Sequence, residues 1–218
     1  MNGRKVDLES TILARRFHVD VFRVGDRPLF GVILFGGSGV DRATYEARGA
    51  TVNPVFDGVL RELDREVSFV LAYVTAPYDV PYNRFAEEPE VAERWRRHVE
   101  EELFPIVPEL PVYLAAYSGG AALVMNGAHE LQRCFGVGGL GADAVPETLS
   151  RGPSWREAAA LYYNRGDRVY SKNRDVIVEL EAAEIVRSHR TLSGGHSLED
   201  YVKNGSFAGL IRRARRLS

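Results

Sequence analysis

Apolar runs recur along this chain, and the stretches between them carry apolar residues at helical spacing. Phe17–Val24 alternates apolar with polar positions and predicts an early strand with one exposed face. Leu29–Phe35 is almost wholly apolar and predicts a buried strand, ended by Gly36-Gly37-Ser38-Gly39. Thr44–Leu63 reads as mostly helical, with a break or a second start at Asn53-Pro54, because the residue before a proline avoids helical backbone. Ser68–Val74 is a further buried run. Glu90–Val107 predicts a helix with Val91, Trp95, Val99 and Leu103 on its inner face. Val112–Tyr117, Cys134–Leu140, Ala158–Asn164 and Ala183–Arg190 predict strands, and Lys172–Leu180 and Leu198–Arg216 predict helices. Pro77–Pro89 and Gly141–Pro153 are loops.

Strands that alternate with helices, and are apolar along their whole length, predict an α/β fold. Its central sheet is mostly parallel and covered by helices on both faces, giving three layers. Neither a repeat nor a break in composition divides the chain, so residues 1–218 read as one domain. Of the 218 residues 45% are hydrophobic, enough for a sizeable core. The net charge of −2 makes no whole-protein case for a nucleic-acid partner. The basic cluster Arg212-Arg213-Ala214-Arg215-Arg216 reads as the solvated face of the last helix. Cys134 is the only cysteine, which excludes an internal disulfide and fits a reducing compartment. It lies in a predicted strand, where a packed, inert thiol is expected. The charged N-terminal segment is unlike a signal peptide, and no run approaches the roughly 18 apolar residues of a membrane span. A soluble cytoplasmic protein is the expectation. The sequence leaves the oligomeric state open, a homodimer included.

Chemistry concentrates at the predicted carboxyl ends of the strands, where sheets of this kind bind ligands. The run Val112–Tyr117 is followed by Ser118, two glycines and a small-residue helix starting near Ala121. A serine on so sharp a turn stands clear of the backbone, with the N-terminal N–H groups of the next helix beside it. Its hydroxyl becomes a nucleophile only with an imidazole in hydrogen-bond reach and a carboxylate to orient that imidazole. Of the five histidines, His18 lies within a strand, and His98 and His129 sit on charged helices where solvation is expected. His189 ends a predicted strand. His196, in Ser193-Gly194-Gly195-His196, lies on a strand-end loop and is the best base. Asp167, in the turn after Ala158–Asn164, is the best carboxylate. Asp143 after the preceding strand and Asp175 within the next helix are its rivals. No carboxylates or histidines cluster at metal-ligand spacing, so neither a metal nor a cofactor is expected.

Strand, Ser118 turn and helix resemble the nucleophile elbow of the α/β-hydrolase superfamily, and the order Ser118, Asp167, His196 is the order of that family. The resemblance covers roughly residues 28–210. It implies the α/β-hydrolase fold with a minimal cap, since the stretch between Leu140 and Ala158 is short. It also implies an oxyanion hole. One donor would be the Gly119 N–H; the other would come from the Gly36–Gly39 loop, by position from Gly37, with Ser38 as the nearest alternative. Ser38 and Tyr117 would touch substrate. The family pattern Gly-x-Ser-x-Gly is here Ala116-Tyr117-Ser118-Gly119-Gly120, so a methyl replaces the first glycine. The Gly36–Gly39 loop has neither the lysine nor the spacing of a phosphate cradle. The implied function is a serine hydrolase cleaving an ester, thioester or related acyl bond of a small molecule, by way of an acyl-enzyme. A non-catalytic binding relative, and acyl transfer or lyase chemistry on the same scaffold, are the alternatives.

Overall fold

The computed structural model describes residues 2–37, 52–75, 89–107, 109–120, 124, 127–142, 159–164, 166–182 and 189–218. Its centre is an eight-stranded sheet. The strands are β1 (Asn2–Ser10), β2 (Arg15–Val24), β3 (Phe30–Phe35), β4 (Phe69–Thr75), β5 (Val112–Tyr117), β6 (Cys134–Leu140), β7 (Ala159–Asn164) and β8 (His189–Leu192). Their order is β1-β2-β4-β3-β5-β6-β7-β8. β1 and β2 run antiparallel to each other and β2 runs antiparallel to β4; every other neighbouring pair is parallel.

Successive side chains of one strand serve two separate cores. Ile33 and Phe35 pack on one face with Trp95, Val99 and Leu103. Phe30, Val32 and Leu34 pack on the other with Phe56, Leu60, Phe207 and Leu210. Burial on both faces is why β3 and β5 are apolar at every position. The first face is covered by α2 (Pro89–Arg97). The second is covered by α1 (Asp57–Leu63), α4 (Leu198–Lys203) and α5 (Ser206–Leu217). Among the described residues a further helix, α3 (Arg168–Ala182), leads from β7 towards β8.

Several expectations are corrected. β1 is not predicted by the apolar pattern, because its charged residues alternate with only Val6 and Leu8, both half-buried. It is an edge strand, zipped to β2 by cross-strand pairs between Asp7 and His18 and between Glu9 and Arg16. The helix expected over Glu90–Val107 keeps its predicted inner face. Beyond Arg97, however, it widens into a π-helical segment, His98–Leu103, and closes on the short turn Phe104–Ile106. Pro105, lacking an N–H, cannot continue an α-helical ladder there. The helix expected over Leu198–Arg216 breaks at Gly205, whose φ of +85° is left-handed. Conversely, α3 runs further than Lys172–Leu180 at both ends. Thr44–Thr51, Pro77–Glu88 and most of Gly141–Pro153 lie outside the described residues, as do residues 183–188 of the strand expected over Ala183–Arg190. Cys134 is part-buried, and burial pushes its thiol up to about 12, which keeps it protonated and unreactive.

His98, expected in solvent, is buried, its ring stacked on Phe17 at 4.8 Å. The cause is the β1–β2 hairpin. Glu102 accepts hydrogen bonds from the Thr11 N–H (2.9 Å) and hydroxyl (3.1 Å) in the hairpin turn, and its other oxygen meets His98 Nδ1 at 2.6 Å. Burial holds His98 below the ordinary histidine range, so it stays neutral and donates through Nδ1. Burial raises Glu102, but hydrogen bonds from Ser10 and His98 outweigh it and hold the carboxyl at about 2. Both groups are depressed, so both contribute stability that fades on acidification. The histidine contribution fades below its ordinary 6.5, and the carboxylate contribution between 4.5 and about 2. Urea unfolding across this range is expected to show wild-type stability falling with pH. Glu102→Gln is expected to be less stable at neutral pH and flatter between 4.5 and 2; parallel curves for the two proteins would contradict this assignment.

Candidate active site

Ser118 follows the last residue of β5 with φ +54°, a left-handed conformation that costs a non-glycine residue of order 1–3 kcal/mol and clusters at functional sites. Its N–H donates to the Leu140 carbonyl at the end of β6 (3.0 Å), which ties the strained turn to the neighbouring strand. The backbone is helical again at Gly120 and Val124. The serine is thereby lifted from the sheet edge.

Glycines make the approach of the two loops feasible. A methyl at Gly120 would lie 2.9 Å from the Gly36 carbonyl oxygen, and one at Gly37 would lie 3.0 Å from the Tyr117 ring and 3.1 Å from Ser118 Cβ. The Gly36-Gly37 segment therefore rests directly against the serine turn, held at its start by the Gly36 N–H on the Val74 carbonyl (2.9 Å). The methyl of Ala116, which departs from the family pattern, is fully buried and faces Gly120, where a second Cβ would sit 3.4 Å away. The missing side chain at 120 leaves space for the one at 116.

The structure joins the three residues expected at the strand ends. Ser118 Oγ is 2.9 Å from His196 Nε2, and His196 Nδ1 is 2.6 Å from Asp167 Oδ2. Asp167 is 1% exposed and opens α3, with its Oδ1 accepting the Val169 N–H (2.8 Å). An ionised carboxylate only accepts, so Nδ1 carries the proton and Nε2 presents its lone pair to the Ser118 hydroxyl. Among the rivals, Asp175 is exposed along α3, and Asp143 lies outside the described residues. His189 begins β8, opposite Leu161, at the far end of the strand from this cluster. Gly119 is buried beside Ser118; Ser38 lies outside the described residues. No group of His, Cys, Asp and Glu among the described residues is arranged to hold a metal ion.

No protein-family model matches the sequence, and a search of curated proteins finds no match. Solved structures do match. The enterobactin esterase of Shigella flexneri superposes with a TM-score of 0.70 at 19% identity, over all of this chain and 60% of the esterase. A ferulic acid esterase superposes with a TM-score of 0.66 at 14% identity, over 98% of each chain. The fluorophosphonate-binding serine hydrolase F of Staphylococcus aureus gives 0.62 at 13% identity, over 100% of this chain and 98% of that one. This is the α/β-hydrolase fold. The chain spans about 60% of the length of the enterobactin esterase. Within the α/β-hydrolase fold, the strand order found here sets Ser118 after β5, Asp167 after β7 and His196 after β8.

Several residues around the cluster are not marked by the sequence. Asn164 Nδ2 donates to the Gly195 carbonyl (2.8 Å), and Asn204 Nδ2 donates to the Ser193 carbonyl (2.9 Å) and to Asn164 Oδ1 (2.5 Å). Tyr117, expected to face substrate, sends its hydroxyl to the His196 carbonyl (2.9 Å), with its ring 5.3 Å from the imidazole. The His196 loop is thus tied to β5, β7 and the α4–α5 junction. Nothing local in the sequence signals these contacts, which span 11 to 79 positions along the chain.

Gly120→Ala is expected to destabilise the protein by about 1–3 kcal/mol, because its methyl meets backbone rather than a movable side chain. Urea unfolding measures this, and an unchanged midpoint would mean that the two loops do not touch.

Proposed function

We propose that this chain is a serine hydrolase cleaving the ester, thioester or related acyl bond of a small molecule. The observation that carries this reading is the continuous chain from hydroxyl to imidazole to buried carboxylate, 2.9 and 2.6 Å long, built on a left-handed serine. The esterase and serine hydrolase names of the structural neighbours agree with it.

Ser118 Oγ attacks the acyl carbon as His196 Nε2 takes its proton. Asp167 holds the imidazole in the required tautomer and balances the positive charge that develops on it. The Gly119 and Gly37 N–H groups receive the oxyanion; a single donor of this kind is typically worth about 100- to 1000-fold in rate. His196 returns the proton to the leaving group, and an acyl-enzyme remains. Water, deprotonated by His196, then attacks the acyl carbon, releasing the acid and restoring the serine. No step requires a cofactor. A single domain over 1–218, a cytoplasmic setting and substrate contacts from Ser38 and Tyr117 complete the reading. Among the described residues no helix is long and apolar enough to cross a membrane.

A fluorophosphonate probe is expected to label wild type at Ser118 and to leave Ser118→Ala untouched; folded wild type that stays unlabelled would favour a non-catalytic binding protein. His196→Ala is expected to slow p-nitrophenyl acetate hydrolysis by about 10⁴-fold, and a loss below tenfold would remove it from the mechanism. The wild-type rate should rise with pH across the imidazole range, since the base acts only when neutral. A flat profile would exclude a histidine base.

A further inference from the structure

The acid of the cluster has a second side-chain partner. Tyr201 Oη lies 2.5 Å from Asp167 Oδ2, the same oxygen that receives His196 Nδ1. The direction of this bond follows from its surroundings. The Asn164 N–H donates to Tyr201 Oη (3.3 Å), occupying the phenol as an acceptor, so its own proton goes to the carboxylate. Burial, reinforced by the Asp167 charge, pushes the phenol well above the ordinary tyrosine range, so it is a donor throughout the working pH range. The space is reserved for this bond. Gly141, left-handed at φ +56°, passes so close that a methyl there would lie 2.6 Å from Tyr201 Oη and 2.9 Å from Asp167 Oδ2.

Tyr201 is fully buried on α4, the helix that Ser197 caps immediately after His196. One short helix therefore follows the imidazole and reaches back to its carboxylate. Tyr117 completes the packing, its ring 5.3 Å from His196 and 6.0 Å from Tyr201. The other titratable groups facing this set are Tyr73 on β4, Tyr163 on β7, Arg168 at the start of α3 and Asp200 on α4.

Resting on the serine-hydrolase reading, we propose that Tyr201 is a positioning residue of the reaction. It holds Asp167 Oδ2 in line with His196 and, by drawing charge from that oxygen, limits how strongly the carboxylate stabilises the imidazolium. Two donors on one oxygen compete for its electron density, so strengthening one weakens the other. A phenol that only filled space would have no such effect on proton affinity.

The test is the pH dependence of kcat/KM for p-nitrophenyl acetate. In Tyr201→Phe the carboxylate's charge is undivided and the imidazolium is held more tightly. The ascending limb is expected to move up by about 0.5 pH unit, with kcat roughly tenfold lower and KM little changed. Tyr201→3-fluorotyrosine keeps the shape and the hydroxyl but donates more strongly, and is expected to move the limb down; it also serves if the phenylalanine variant fails to fold. In an Asp167→Asn background, Tyr201→Phe is expected to shift the limb no further, because the carboxylate charge that its hydroxyl divides is gone. Profiles superimposable on wild type, or an equal shift in the Asp167→Asn background, would overturn the inference while leaving Ser118 labelling intact. Wild type that neither labels with fluorophosphonate nor hydrolyses the ester would overturn the serine-hydrolase reading, and this inference with it.

Discussion

A carboxylate withdrawn almost wholly from water must be surrounded by donors, and Asp167 is the point at which this molecule meets that requirement. The Val169 N–H, Tyr201 hydroxyl and His196 Nδ1 all converge on its two oxygens. Each comes from a different place in the fold: the first turn of α3, the middle of α4 and the loop after β8. Burying one charge therefore fixes the mutual positions of three segments, and the geometry at Ser118 depends on them.

Opposite this acceptor stands a strained donor. Ser118 is held left-handed by elements that cannot relax independently: β5 before it, the Leu140 carbonyl beside it and the glycine loop after β3 against it. Close approach of backbone to backbone at Gly36, Gly37 and Gly120 is tolerable only because side chains are absent there. In the proposed reaction the hydroxyl is in place before substrate arrives, so little reorganisation remains for the chemical step.

Most of the sheet was legible in the sequence, for one physical reason. Strands buried on both faces, such as Phe30–Phe35 and Val112–Tyr117, must be apolar at every position, and apolar runs that short, set between helical patterns, fit the middle of a covered sheet and little else. Legibility failed where burial is one-sided or conditional. β1 carries charges that an edge strand accommodates and a central strand would not. His98 looks solvated among Glu100, Glu101 and Arg97, and is enclosed only because the unforeseen hairpin lies over it. At Gly205 the apolar phase shifts: Leu198, Tyr201 and Val202 share one face, whereas Phe207, Leu210, Ile211 and Ala214 would fall on the opposite side of a continuous helix.

For the site, local chemistry was enough to bring forward Ser118 and His196, and Asp167 with Asp143 as its rival. A serine between a buried strand and small residues, and polar residues on glycine turns at strand ends, are features of short windows of sequence. Their distances, the tautomer of His196 and the contacts of Tyr201, Tyr117, Asn164 and Asn204 were settled only by the folded chain. These depend on which segments become neighbours, and hydrogen bonds between residues dozens of positions apart leave no periodic trace. Composition and spacing thus determined the kinds of groups available and the edge of the sheet where they gather; packing alone decided which of them touch.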